Sequence, residues 1–125
     1  MKTFSAIAAA AAIAVLAGFS GLASAQAPTG TTNGMLTDSS GMTLYTFDKD
    51  SAGKSACNGP CARNWPPLLA AEGDHADGGY SLVTRDDGKR QWAYKGKPLY
   101  TWSKDHKPGD KTGDGFKNAW HIVQP

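Results

Sequence analysis

Gly41-Met42-Thr43-Leu44-Tyr45-Thr46-Phe47-Asp48-Lys49-Asp50 recurs 55 residues further on as Gly96-Lys97-Pro98-Leu99-Tyr100-Thr101-Trp102-Ser103-Lys104-Asp105. Six of the ten positions are identical without a gap, where unrelated sequence of ordinary composition gives about one. The same offset sets Trp65 on Trp120 and Leu68 on Val123. Two separate matches at one spacing indicate an internal duplication.

In each copy the run Leu-Tyr-Thr-Phe/Trp is β-branched and aromatic. Its period of two places Tyr45 with Phe47, and Tyr100 with Trp102, on one face of a strand. A turn precedes each strand, Asp38-Ser39-Ser40-Gly41 and Tyr94-Lys95-Gly96-Lys97, where glycine accepts the positive φ of a tight hairpin. Upstream strands fit residues 34–37 and 90–94, and Asp86-Asp87-Gly88 joins the latter to a strand at 80–84. Strands around 65–69 and 120–123, carrying Trp65 and Trp120, follow long loops. Pro66-Pro67 cannot donate ladder hydrogen bonds, so the first of these should be short or at an edge. Three or four short strands cannot cover their own apolar face. The expectation is therefore a small single all-β domain. Two pseudo-symmetric repeats of short antiparallel strands with long loops, about residues 34–70 and 80–125, pack about a pseudo-two-fold axis with their aromatic faces as core.

Residues 1–25 hold 18 of the apolar residues and a single charge, Lys2. Met1-Lys2-Thr3, the apolar run from Ala6 to Phe19 and the small-x-small site Ala23-Ser24-Ala25 read as a secretory signal peptide. Residues 26–33 are expected to be a flexible lead. The chain after residue 25 has 12 Lys or Arg against 11 Asp or Glu, ten of the 12 aromatic residues and all seven Pro. Interspersed charge near neutrality argues against a nucleic-acid partner. No later apolar run approaches the ~20 residues of a membrane span.

Export decides how the cysteines are read. Cys57-Asn58-Gly59-Pro60-Cys61 is a CxxxC around a turn sequence in an oxidising compartment, which points to a structural disulfide. A redox pair of the CxxC type, a CxxCH haem site or a zinc site with two further ligands fits less well.

Tyr45-x-Phe47-x-x-Asp50 and Tyr100-x-Trp102-x-x-Asp105, together with the segment from Ser55 to Cys61 leading into Trp65-Pro66-Pro67-Leu68, carry a resemblance. The chain resembles, over nearly all its length after the leader, the bacterial secreted-repeat family whose members are often lipoproteins with a Yx(FWY)xxD motif. The resemblance implies a secreted repeat protein of unknown function. Lipoprotein members carry an acylated Cys after the leader; here Gln26 follows Ala25, and no lipid anchor is expected.

Several side chains invite a chemical role. The loop 105–118 gathers Asp105, His106, Asp110 and Asp114 as weak metal candidates, although Lys107 and Lys111 dilute its charge and a solvated turn-rich loop accounts for the composition. Asp48 to Gly53 begins like a calcium loop, but Ala52 and Gly59 stand where oxygen ligands belong. No nucleophile elbow or phosphate loop occurs and His75, His106 and His121 are scattered, so no enzyme activity and no cofactor are expected. Asp50 and Asp105, where their strands end, suit acceptance of backbone N–H groups. Trp92 and Tyr94 share a strand face beside Lys95 and Lys97 and are the expected exposed ligand platform. The reading is an exported, non-enzymatic binding or structural β module with an envelope or extracellular partner. The alternative is a metal-binding or redox accessory protein using the Asp/His loop or the CxxxC pair.

Overall fold

Tyr45 and Tyr100, equivalent residues of the two copies, face each other across an antiparallel bridge and exchange both backbone hydrogen bonds, at 2.8 and 3.0 Å. A pair that relates each copy to the other in this way marks the pseudo-two-fold axis. The computed structural model describes residues 27–125; Gln26 and the signal peptide read over residues 1–25 lie outside them.

Around that pair the chain builds short antiparallel strands. These are β1 (Thr29–Thr32), β2 (Met35–Asp38), β3 (Tyr45–Phe47), β4 (Tyr80–Thr84), β5 (Arg90–Tyr94), β6 (Lys97–Pro98) and β7 (Trp120–Ile122). One short helix, α1 (Pro60–Asn64), and a 3-10 turn at Phe116–Asn118 interrupt them. β1 pairs with β2, β3 with β7, and β4, β5 and β6 form a three-stranded sheet in that order. The β5–β6 hairpin turns at Lys95 and Gly96, both at positive φ (51° and 84°), which gives the turn whose twist matches its strands.

Several elements differ from the sequence reading: the strands expected at 65–69 and 100–102 are present only as isolated bridges at Pro67, Leu69 and Tyr100. Residues 29–32, expected within a flexible lead, form β1, because their backbone completes the ladder from Thr29–Asp38 to Thr32–Met35. The strand expected at 34–37 runs from Met35 to Asp38, since Asn33 and Gly34 take positive φ and form the turn.

The connections beyond these sheets show how the copies interlock. Leu36 N–H donates to Val123 and Leu44 N–H to Leu36; in the other copy Trp92 N–H donates to Leu68 and Leu99 N–H to Trp92. Val123 follows Trp120 in the second copy, and Leu68 follows Trp65 in the first. Each copy therefore pairs with the Trp-bearing segment of the other: β3 takes β7, while the segment at Tyr100 and Thr101 takes Pro66 and Pro67. The prolines leave only isolated bridges on that side, because they have no N–H for a regular ladder.

Two apolar clusters result. Leu36, Leu44, Trp92, Leu99 and Val123 form one. Tyr45, Cys57, Trp65, Tyr100, Trp102 and Trp120 form the other, with Phe47 and Cys61 packed against it.

Candidate functional site

The second cluster is a stack of rings. Phe47 lies on Trp120 (centroids 4.2 Å apart), Trp120 on Trp65 (3.8 Å) and Trp65 on Trp102 (3.8 Å), with interplanar angles of 13°, 2° and 24°. Phe47 and Trp102 are equivalent by the repeat, as are Trp65 and Trp120, so the axis passes between the two central indoles. Tyr45 meets Trp65 edge-on at 5.3 Å, and Tyr100 meets Trp120 edge-on at 5.2 Å. Edge-to-face and stacked contacts of this kind add roughly 0.5–1.5 kcal/mol each beyond area burial.

The acids of the repeated motif close the same cluster crosswise. Tyr45 Oη donates to Asp105 Oδ2 at 2.7 Å, and Tyr100 Oη donates to Asp50 Oδ2 at 2.7 Å. Each carboxylate keeps its other oxygen for the loop that leaves its own strand. Asp50 Oδ1 accepts from Ala56 N–H (2.7 Å), and Asp105 Oδ1 accepts from the N–H and hydroxyl of Thr112 (3.0 and 2.7 Å). Burial and then the Asp105 bond push the Tyr45 hydroxyl above its ordinary pKa. Burial does the same to Tyr100, opposed by Ser55 and reinforced by Asp50. Burial also raises the Asp50 carboxyl, against the Ala56 N–H, Tyr100 and Arg85, which favour its charge.

Arg85 gives one half of the molecule a feature the other lacks. It is buried, and its guanidinium donates to Ser55 Oγ (3.0 Å), Gln91 Oε1 (2.7 Å) and Cys57 O (2.7 Å). Ser55 Oγ lies 2.6 Å from Tyr100 Oη, so two hydroxyls connect the Arg85 cation to the Asp50 carboxylate. A buried charge is tolerable only when such partners replace water. The sequence reading missed Arg85, because it follows β4 directly before the Asp86-Asp87-Gly88 turn, where a cation ordinarily faces solvent.

Cys57 and Cys61 form a disulfide with Cα atoms 5.2 Å apart. It closes the turn into α1, and Trp65 N–H then donates to Cys61 O at 2.8 Å, which delivers the first central indole to the stack. Trp92, expected to be exposed, is fully buried. It faces the cluster of Leu36, Leu44 and Leu99, because the exchanged Leu68 segment pairs with its strand. Tyr94, two residues on, is half-buried and tilted against Tyr80 at 4.9 Å.

The acidic loop does not converge on a point. Asp110 accepts from the His106 and Lys107 N–H groups and pairs with Lys107 Nζ at 2.9 Å. Lys107 and those N–H groups hold its carboxyl down to about 2. Asp114 accepts from Ile122 N–H, and Asp105 is committed to Tyr45 and Thr112. Among the described residues no three His, Cys, Asp or Glu side chains group as metal ligands. None of the described helices is long and apolar enough to cross a membrane.

A cavity of about 380 Å³ opens beside the ring stack. Phe47, Trp65, Trp102, Trp120 and Phe116 line it, and Lys49, Lys117 and Asn64 stand among its polar groups. Phe116 is 37% exposed, and with Leu69 one of two large apolar side chains so open to solvent among the described residues. Phe116 and Lys117 sit in the loop read from sequence as solvated, which is why that reading passed over them.

The family model described as "secreted repeat of unknown function" matches residues 29–69 and again 81–124. Comparison with curated proteins and with solved structures gives no match. The two matched segments are the two halves that exchange their Trp-bearing segments, and the chain belongs to the family of secreted repeats of unknown function.

Proposed function

We propose that the protein is an exported, non-enzymatic binding module of the cell envelope, and that the cavity beside the ring stack is its binding site. The observation that carries this reading is the cavity itself: an aromatic cluster packed at 3.8–4.2 Å separations leaves about 380 Å³ open at one side. Small-molecule sites are concave, mostly apolar and fitted with few polar groups. The secreted family supports export, and the small residues at positions 23 and 25 support a mature chain beginning at Gln26 in the periplasm or outside the cell.

A thermal-shift screen with small aromatic, saccharide and amphipathic compounds tests the site. Ligands of the native state raise Tm with concentration. At least one class should do so saturably, and the effect should vanish in Asn64→Trp, which places an indole in the cavity from an exposed position. No saturable rise, or one unchanged in Asn64→Trp, contradicts the reading.

A further inference from the structure

The walls of this cavity point to a ligand class, an inference that rests on the binding reading above. Trp65 lies between Trp120 and Trp102, and Trp120 lies between Phe47 and Trp65. Both faces of these two indoles are covered, so what they turn toward the cavity is their edge. Aromatic rings carry negative charge on the face and positive charge along the edge. A wall of edges favours the π face of another ring, or oxygen atoms bearing negative charge.

The polar residues carry the same sign. Lys49 and Lys117 line the cavity with the Asn64 amide, and no Asp or Glu does. Both lysines are exposed, and neither is engaged by a carboxylate among the described residues. Lys117 Nζ stands over the Phe116 ring, 5.5 Å from its centre, so a cation and a partly exposed aromatic ring share one wall.

A left-handed turn presents this wall. Lys117 and Asn118 are successive non-glycine residues at φ 52° and 55°. Asn adopts this region readily, whereas for Lys it is uncommon and needs a turn that holds it. Gly115 N–H donating to Trp120 O at 2.7 Å, with Asn118 N–H to Gly115 O at 2.9 Å, keeps the turn in place.

We infer that the cavity binds a planar aromatic anion of one or two rings, such as an aryl carboxylate, with its ring against the indole edges and Phe116 and its acid group between Lys49 and Lys117. Saccharides, which stack their C–H faces on open ring faces, find no open Trp65 or Trp120 face here.

The test uses the whole mature protein, titrated with 2-naphthoate and with its uncharged analogue 2-naphthalenemethanol, followed through amide and indole N–H correlations in NMR. The anion should shift the Trp65, Trp102 and Trp120 indole signals and the amides of residues 115–119 saturably. Charge-assisted hydrogen bonds are worth enough that the alcohol, and the anion with Lys49→Ala/Lys117→Ala, should bind about tenfold more weakly or worse. Lys49→Arg/Lys117→Arg should keep most of the affinity. Equal binding of alcohol and anion overturns this inference while leaving an apolar binding site. Saturable shifts elsewhere on the molecule overturn the assignment of the cavity. No binding of either compound overturns the inference; if the wider panel also fails in thermal shift, the binding reading falls with it.

Discussion

At the scale of single residues, two hydroxyl–carboxylate bonds tie one copy of the motif to the other. Each acid accepts from the tyrosine of the opposite copy and from its own loop, so truncating Asp105 leaves the buried Tyr45 hydroxyl without its acceptor, while truncating Asp50 leaves the Tyr100 hydroxyl with Ser55 Oγ alone and removes the acceptor of the exposed Ala56 N–H. An unsatisfied buried donor costs about 1–3 kcal/mol. Asp105→Ala should lower stability by such an amount in denaturant unfolding, and Asp50→Ala by an amount toward its lower end, because Ser55 Oγ still partners Tyr100. Asp48→Ala, which loses only an exposed pair with His121 at 2.8 Å, should change it by less than about 0.5 kcal/mol. Wild-type stability in both motif variants would contradict the account.

The same bonds set a response to alkali. Tyr45 and Tyr100 have folded pKa values raised above the ordinary 10.0. Above about pH 10 the unfolded chain loses these protons first, and the state that releases protons is favoured as pH rises. Stability should therefore be intact below pH 10 and fall from there upward. In Tyr45→Phe/Tyr100→Phe the overall stability should be lower and this alkaline slope shallower, as read by thermal melts from pH 8 to 11.

At the scale of elements, the loops matter as much as the strands. An added Cβ at Gly113 would lie 2.6 Å from Trp65 Cη2 and 3.0 Å from Trp102 Cδ1, and the Gly113 N–H donates to Tyr45 Oη at 3.2 Å. The indoles are locked in the stack, so Gly113→Ala should cost at least the roughly 1–3 kcal/mol typical of overpacking, measurable as a lowered Tm with altered tryptophan fluorescence. Reducing Cys57–Cys61 loosens the lead into α1 and Trp65, with an expected loss of roughly 2 kcal/mol for so short a loop. Local pattern made the hairpin strands at 80–84 and 90–94, the turns at Ser39-Ser40 and Lys95-Gly96 and the cysteine pair legible, because each depends on residues near in sequence. Trp92 was not, because its burial depends on the distant Leu68 segment pairing with its strand. Phe116 and Lys117 were not, because a turn-rich loop carries no periodicity to mark which side chains bend back over a core 50 residues away. Arg85 lacks any local mark for the same reason: its partners Ser55 and Cys57 belong to the other copy.

At the scale of the whole molecule, the duplication is visible in the sequence, but the exchange of Trp-bearing segments is not. Ten aligned residues show that two copies exist; they do not show which copy's tyrosine meets which copy's acid. In the structure neither half keeps its own indole: Trp65 stacks on Trp102 and Trp120 of the second half, and β7 pairs with β3 of the first. One half alone would expose the stack and leave Tyr45 or Tyr100 without its carboxylate. The most direct measurement is the NMR spectrum and thermal melt of residues 27–77 produced without the second half. Collapsed amide dispersion and no cooperative transition are expected. A dispersed spectrum with a sigmoidal melt would show that one copy is a folding unit by itself, and would contradict the claim that the two copies hold each other together.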